Sequence, residues 1–380
     1  MCSPAHFDCQ MSMPRYDTAM LTNLSPVSTD DIEVGVFADR VVPPLTIGSL
    51  KLSASVALAP LSGITDVPFR ALVRSFGAEL VYSEMVASGE LLRGLTETRL
   101  RASPDGSGLH AVQLAGRDAG SMSEAARRVA SDGADLIDIN MGCPAKKVVG
   151  GLSGAALMRD LDHALRLIEA TVEGAGAVPV TLKMRLGWDR ASINAPELAR
   201  RAEAAGIRLV TVHGRTRDQF YDGHADWPAI AAVKAAVSIP VVANGDLRDR
   251  AGEIRMRRES RADGVMIGRG ACGRPWLPAM LAGTMPAARW RESFGDLVSG
   301  HYEAMLRHYG HDVGMRHARK HLGWYVDAFS AASGVDLTLD KAAMLRAVDP
   351  AAVVAQIRAL FAEASLADVD RAPASFQKAA

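Results

Sequence analysis

Cys143 stands alone in the stretch "DLIDINMGCPAKKVVGGLSGAALM" (135–158), between a glycine and a proline. The other cysteines lie at 2, 9 and 272, and no CxxC pair occurs. Zinc and a disulfide framework therefore fit poorly, and no metal site is expected. A lone loop thiol can be a nucleophile, a general acid or filler. A nucleophile needs a depressed pKa and a neighbouring base. A general acid needs the opposite, and an ordinary thiol, with a pKa of about 8.5, is mostly protonated at pH 7. Other polar residues collect at the ends of short apolar runs, as Cys143 does. Lys183 alternates with Thr181 and Arg185 in "PVTLKMR". An inward lysine on a strand must meet an anion, an electron-rich ring, a carbonyl substrate or a carboxylate partner. His213 ends "RLVTVHG", and Gln113 in "HAVQLAG" offers both a donor and an acceptor. Asn244 and Gly245 in "PVVANGD", with Gly268 and Arg269 in "DGVMIGRG", combine close backbone approach with charge, which suits a phosphate.

The elements that must position these residues alternate in type. Eight runs begin near 55, 79, 110, 135, 179, 208, 240 and 263, separated by Ala-rich helical stretches. Continuous apolar strands joined by crossover helices predict a parallel sheet buried on both faces. Eight such units are the number of a (β/α)8 TIM barrel, in which the C-terminal strand ends carry the active site. A doubly wound open sheet is the alternative, but no GxGxxG follows the first strand. After about 290 only helical patterns remain, including "MRHARKHLGWYVDAFS". The expected organisation is an N-terminal extension over 1–44, a barrel over 45–288, an all-helical C-terminal domain over 289–367 and a tail over 368–380.

Composition bounds the partners. Lys+Arg and Asp+Glu both number 43, so nucleic-acid binding must come from local patches, not bulk charge. The chain has no apolar run long enough to span a bilayer and no signal-peptide pattern at its start, and the expected setting is the cytoplasm. No membrane and no obligate protein partner are inferred, which predicts a monomer.

The ordered set "APLSGITDVPFR", "VQLAG", "DINMGCPAKKVVGGLSGAALM", "VTLKMRLGW", "TVHGRTR", "VVANGD" and "MIGRGACGRPW" resembles the tRNA-dihydrouridine synthases. "GCPAKKV" paired with the later "ARKHLGWY" is most similar to the B-type bacterial subgroup. The resemblance implies FMN as cofactor, NADPH or NADH as electron donor, and uridines of the tRNA D-loop as substrate. It implies hydride transfer from flavin N5 to uracil C6 and protonation of C5 by a cysteine, the position taken by Cys143. It places Pro60, Leu61, Ser62, Gln113 and Lys183 on FMN, with His213 near the ring. Asn244, Gly245, Asp246, Gly268 and Arg269 fall at the phosphate end, and Asn140 on the target uracil. Leu61 departs from the family's usual Met, a mild exchange that would leave a backbone contact intact. A tRNA partner requires basic patches, for which Lys146, Lys147, Arg215, Arg217, Arg316, Arg319 and Lys320 are the candidates. Tyr221 can line the pocket, stack on a base or belong to the core. A flavin enzyme acting on free pyrimidines and a noncatalytic tRNA-binding relative are the alternatives.

Overall fold

The computed structural model describes residues 42–106 and 108–370. The expected N-terminal extension lies almost wholly outside the described residues, and so does most of the expected tail. The eight apolar runs form strands β1 (Val56–Leu58), β2 (Leu80–Ala87), β3 (Ala111–Ala115), β4 (Leu136–Met141), β5 (Val180–Arg185), β6 (Val210–His213), β7 (Val241–Asn244) and β8 (Gly264–Ile267). All pair in parallel, and β8 returns to β1 to close the barrel. The expected (β/α)8 barrel with an all-helical C-terminal region is borne out.

Crossover helices begin where the sequence supplies acceptors for their unpaired N–H groups. Asp66 caps α1 (Val67–Ser75), and Asp160 caps the long helix Leu161–Ala175 after β4. Within the barrel, residues two apart along a strand share a face. Ala57, Leu80, Leu136 and Leu209 form an apolar floor with a short hairpin, Leu45–Ile47 paired with Leu50–Leu52, that precedes β1. Further along the same faces the side chains become polar. Gln113, Asp138 and Thr181 sit opposite one another on β3, β4 and β5, as do Asn140 and Lys183 one step higher. Arg185 pairs with His213, and His213 with Asn244. Strand register therefore brings residues as distant as 113 and 244 to one rim.

The C-terminal helices pack onto this barrel. The helices Phe294–Tyr309 and His311–Ser333 turn back on each other at Gly310, whose φ of 77° is left-handed. His301 and His321 on these helices pack their rings against Phe69 of α1, at 5.7 and 5.2 Å. Tyr309 Oη donates to Asp66 Oδ2 at 3.1 Å. Phe294 joins Trp276, Tyr325 and Phe361 in an aromatic cluster. The barrel and its helices form one compact unit.

Candidate active site

The C-terminal rim of the barrel is built by a run of side-chain bonds. Asp138, buried inside the barrel, accepts from Gln113 Nε2 at 2.7 Å and from Thr181 Oγ1 at 2.6 Å. Asn140 Nδ2 donates to Gln113 Oε1 at 2.7 Å. Asn140 Oδ1 then accepts the backbone N–H groups of Gly142 and Cys143, at 3.2 and 3.0 Å. The Cys143 loop is held from its other side by Arg185, whose Nε donates to the Gly142 carbonyl at 2.9 Å and whose second nitrogen donates to the Thr216 carbonyl at 2.7 Å. Cys143 keeps part of its surface open.

The other half of the rim is cationic. Lys183 Nζ donates to Asn244 Oδ1 at 3.1 Å, and Asn244 Nδ2 donates to the Met266 carbonyl at 2.9 Å. Burial pulls the Lys183 pKa below the ordinary lysine range, opposed by the Asp138 charge. Burial raises the Asp138 pKa in turn, opposed by its bonds from Gln113 and Thr181. Burial, then the charges of Lys183, Arg185, Arg215 and Arg269, holds the His213 pKa well below its usual value. The buried His213 Nδ1 has no partner among the described residues. Such an orphaned polar atom calls for a ligand or water.

The two glycines at the expected phosphate end differ. Gly245 has φ +121°, and a Cβ there would sit 2.7 Å from Ala225 Cβ, so the protein itself requires glycine. Gly268 has φ −104°, and a Cβ would meet only Leu61 and Ala59, at 3.8 and 3.9 Å. A Cβ at 268 would thus reach only ordinary packing distance, beside the exposed Arg269.

The family model described as Dihydrouridine synthase (Dus) matches residues 57–358. The chain belongs to the dihydrouridine synthase family. It is 57% identical over 326 residues to a probable tRNA-dihydrouridine synthase of Rhodobacter capsulatus, covering 84% of this chain and 98% of that one. It is 45% identical over 287 residues to tRNA-dihydrouridine synthase B of Xanthomonas axonopodis pv. citri, covering 74% and 86%. Both bear out the resemblance read from the motifs, and the second carries the B-type name. Among solved structures, a 2-naphthoyl-CoA reductase complex matches with a TM-score of 0.51 at 12% identity, over 65% of this chain and 52% of that chain. That likeness concerns the fold alone. As a dihydrouridine synthase family member, the chain is an oxidoreductase.

Within this family frame the rim collects most of the expected residues: Gln113, Asn140, Cys143, Lys183, His213 and Asn244 are joined by the strand pairing and bonds above. Pro60, Leu61 and Ser62 follow β1 at the same end. The expected backbone contact at Leu61 needs correction. Its N–H donates to Thr65 Oγ1 at 2.9 Å and its carbonyl accepts from Ile64 and Thr65, so the loop uses that backbone itself. Leu61 instead turns its side chain toward Gly268.

Arg215 is a second correction. It was expected on an RNA-facing patch, yet it is 1% exposed. Two of its nitrogens hold Asp246, and it also donates to the Asp222 and Gly223 carbonyls. The Asp246 carboxylate, expected at the phosphate end, is spent on Arg215 and on the Ala225 N–H. Arg217 lies over the rings of Trp188 and Phe220, at 4.6 and 5.3 Å, and is only half open. Tyr221 is exposed, not core, and its ring centroid lies 4.7 Å from the Arg269 guanidinium and 5.6 Å from that of Arg185. Lys146, Lys147, Arg316 and Arg319 are exposed. Lys320 departs from that run. It is half-buried, with its Nζ 3.5 Å from the site a Gly63 Cβ would take, facing the β1 loop.

Asp138 and Arg185 were not among the candidate site residues. Asp138 lies two residues before Asn140 and must share its face, a signal present in "DLIDIN". The pairing of Arg185 with the Gly142 carbonyl had no comparable local signal.

Proposed function

We propose that this chain reduces the C5–C6 double bond of uridines in the tRNA D-loop to 5,6-dihydrouridine, with FMN as resident cofactor and NADPH or NADH as electron donor. The observation that carries this reading is the convergence of Cys143, Lys183, His213 and Asn244 on one rim, in a chain of this family.

The residues present fit a flavin phosphate and ring. Arg269 offers exposed charge beside Gly268 and the orphaned His213 Nδ1 offers a polar contact, while the Gln113 amide is buried and bonded at both ends, to Asp138 and Asn140. Pro60, Leu61, Ser62, Asn244, Gly245 and the backbone of Asp246 complete the wall. Lys183 supplies positive charge from beneath. Reduced FMN, when bound, supplies the hydride for uracil C6.

The chain's own residues do the rest. Asn140 and Arg185 hold the Cys143 loop from opposite sides. Cys143 keeps the thiol proton that goes to C5, and Asn140 retains one amide hydrogen for the base. A D-loop uridine is packed within the tRNA elbow and must be splayed out to enter the barrel mouth. Tyr221, at the mouth, offers a face for it or its neighbour. Lys146, Lys147, Arg316 and Arg319 present exposed charge to the phosphate backbone. In this reading the barrel (45–288) does the chemistry, and the helices (289–367) form the RNA platform. The enzyme works in the cytoplasm as a single chain.

The test is direct. Purified protein should carry or take up FMN and lose its yellow absorbance with NADPH. Given tRNA from a strain lacking this gene, it should form dihydrouridine detectable by mass spectrometry. A protein that cannot be loaded with FMN, or loaded protein that leaves this tRNA unmodified, would defeat the proposal.

A further inference from the structure

The bonds between Asp138 and Cys143 have a direction. An ionised carboxylate only accepts hydrogen bonds. Both Asp138 oxygens are occupied, one by Thr181 Oγ1 and one by Gln113 Nε2. The Gln113 amide must therefore present nitrogen to Asp138 and oxygen to the opposite side. That oxygen accepts from Asn140 Nδ2, which leaves Asn140 Oδ1 aimed at the N–H groups of Gly142 and Cys143. An amide turned the other way at either step would place two like groups face to face.

We propose that Asp138 is a positioning residue that sets the orientation of Gln113 and Asn140 in turn, and through them fixes the Cys143 loop. It touches neither substrate nor reacting atoms. The proposal rests on the reading of Cys143 as the proton donor only for its catalytic consequence; the loop geometry stands apart from it. Register makes the relay possible, because Gln113, Asp138 and Thr181 lie side by side on three adjacent strands. Asp138 is sealed in the barrel, so water does not compete for these bonds.

The direction can be reversed without changing side-chain volume or net charge. Asp138→Asn alone can keep the wild-type direction, its oxygen turned to Gln113 Nε2 and its nitrogen to the Thr181 hydroxyl, which can accept. Asn140→Asp alone puts a carboxylate against Gln113 Oε1. In the double variant the new amide at 138 donates to Gln113 Oε1, Gln113 Nε2 turns to the new carboxylate at 140, and the second oxygen there again accepts from Gly142 and Cys143.

Hydrogen exchange by mass spectrometry, on full-length FMN-loaded protein, reads those two N–H groups in peptides spanning 139–150. Asn140→Asp, which sets Gln113 between two carboxylates, should exchange about tenfold faster there, the scale of one lost hydrogen bond, while Asp138→Asn alone should stay close to wild type and peptides of the helix 161–175 should not change. The double variant should return close to wild type. Wild-type exchange in Asn140→Asp, or a double variant that folds but stays as fast as Asn140→Asp, would overturn the proposal. If Asp138→Asn alone fails to fold, the comparison of Asn140→Asp with the double variant decides it. Turnover by Cys143→Ala would sink the acid reading while leaving this result intact, so the two failures are distinguishable.

Discussion

Arg215 grips Asp246 through two nitrogens, at 2.9 and 2.7 Å, and so ties the end of β6 to the end of β7. The arginine is buried and spends its remaining donors on loop carbonyls. Removing one partner of a fully buried pair costs roughly 3–5 kcal/mol, and the low end applies here because Asp246 is only partly buried and keeps Arg269 at 3.9 Å. Arg215→Ala should therefore lower stability by about that much in urea or guanidinium unfolding. Its effect on tRNA binding should vanish once corrected for the folded fraction.

Cys143→Ala should keep the fold and FMN content of wild type. Dihydrouridine formation should fall by roughly 10²–10⁴-fold, the usual worth of a positioned general acid. Single-turnover assays with pre-reduced enzyme and tRNA check this apart from the reductive half-reaction.

The "RHARKH" run divides by exposure, and salt dependence should divide with it. Arg316→Ala with Arg319→Ala should weaken tRNA binding and reduce the slope of log K against log salt by about 1.4 to 1.8, two phosphate contacts' worth. Lys320→Ala should change that slope by less than about 0.5, because Lys320 faces the β1 loop. Filter binding across a salt series separates the two outcomes.

Asp66 caps α1 and accepts from Tyr309, so it joins barrel and helices. Burial, with Glu84 adding, raises its pKa from 3.8 to about 6, against the opposing Phe69 cap bond. The folded protein thus holds a proton that the unfolded chain releases first. The resulting stabilisation is complete below pH 3.8 and lost as pH rises through about 6. At pH 7.5 the ionised carboxylate costs up to about 3 kcal/mol relative to its protonated form. Asp66→Asn keeps an acceptor for the cap and should raise Tm at pH 7.5, with little change at pH 4. Calorimetry at the two pH values tests the sign.

The barrel was legible because each strand is a local apolar run, and the helices after 290 show their period in sequence. The rim was legible residue by residue where type alone was informative, as with Cys143, Lys183 and Gly268. What escaped were pairings. Arg215 looked like surface charge because its partner lies 31 residues on, at the end of another strand. Lys320 looked like its exposed neighbours because the β1 loop beside it is more than 250 residues away in sequence. Asp138 passed as part of a strand because its role depends on the register of β3 and β5 against β4.

The hairpin at Leu45–Leu52 closes the barrel floor, with Ile47 fully buried against the interior layer. That end of the barrel is therefore shut by packed side chains. Under the proposed function, cofactor, electron donor and nucleotide would all come and go by the opposite rim, each leaving room for, or waiting for, the next.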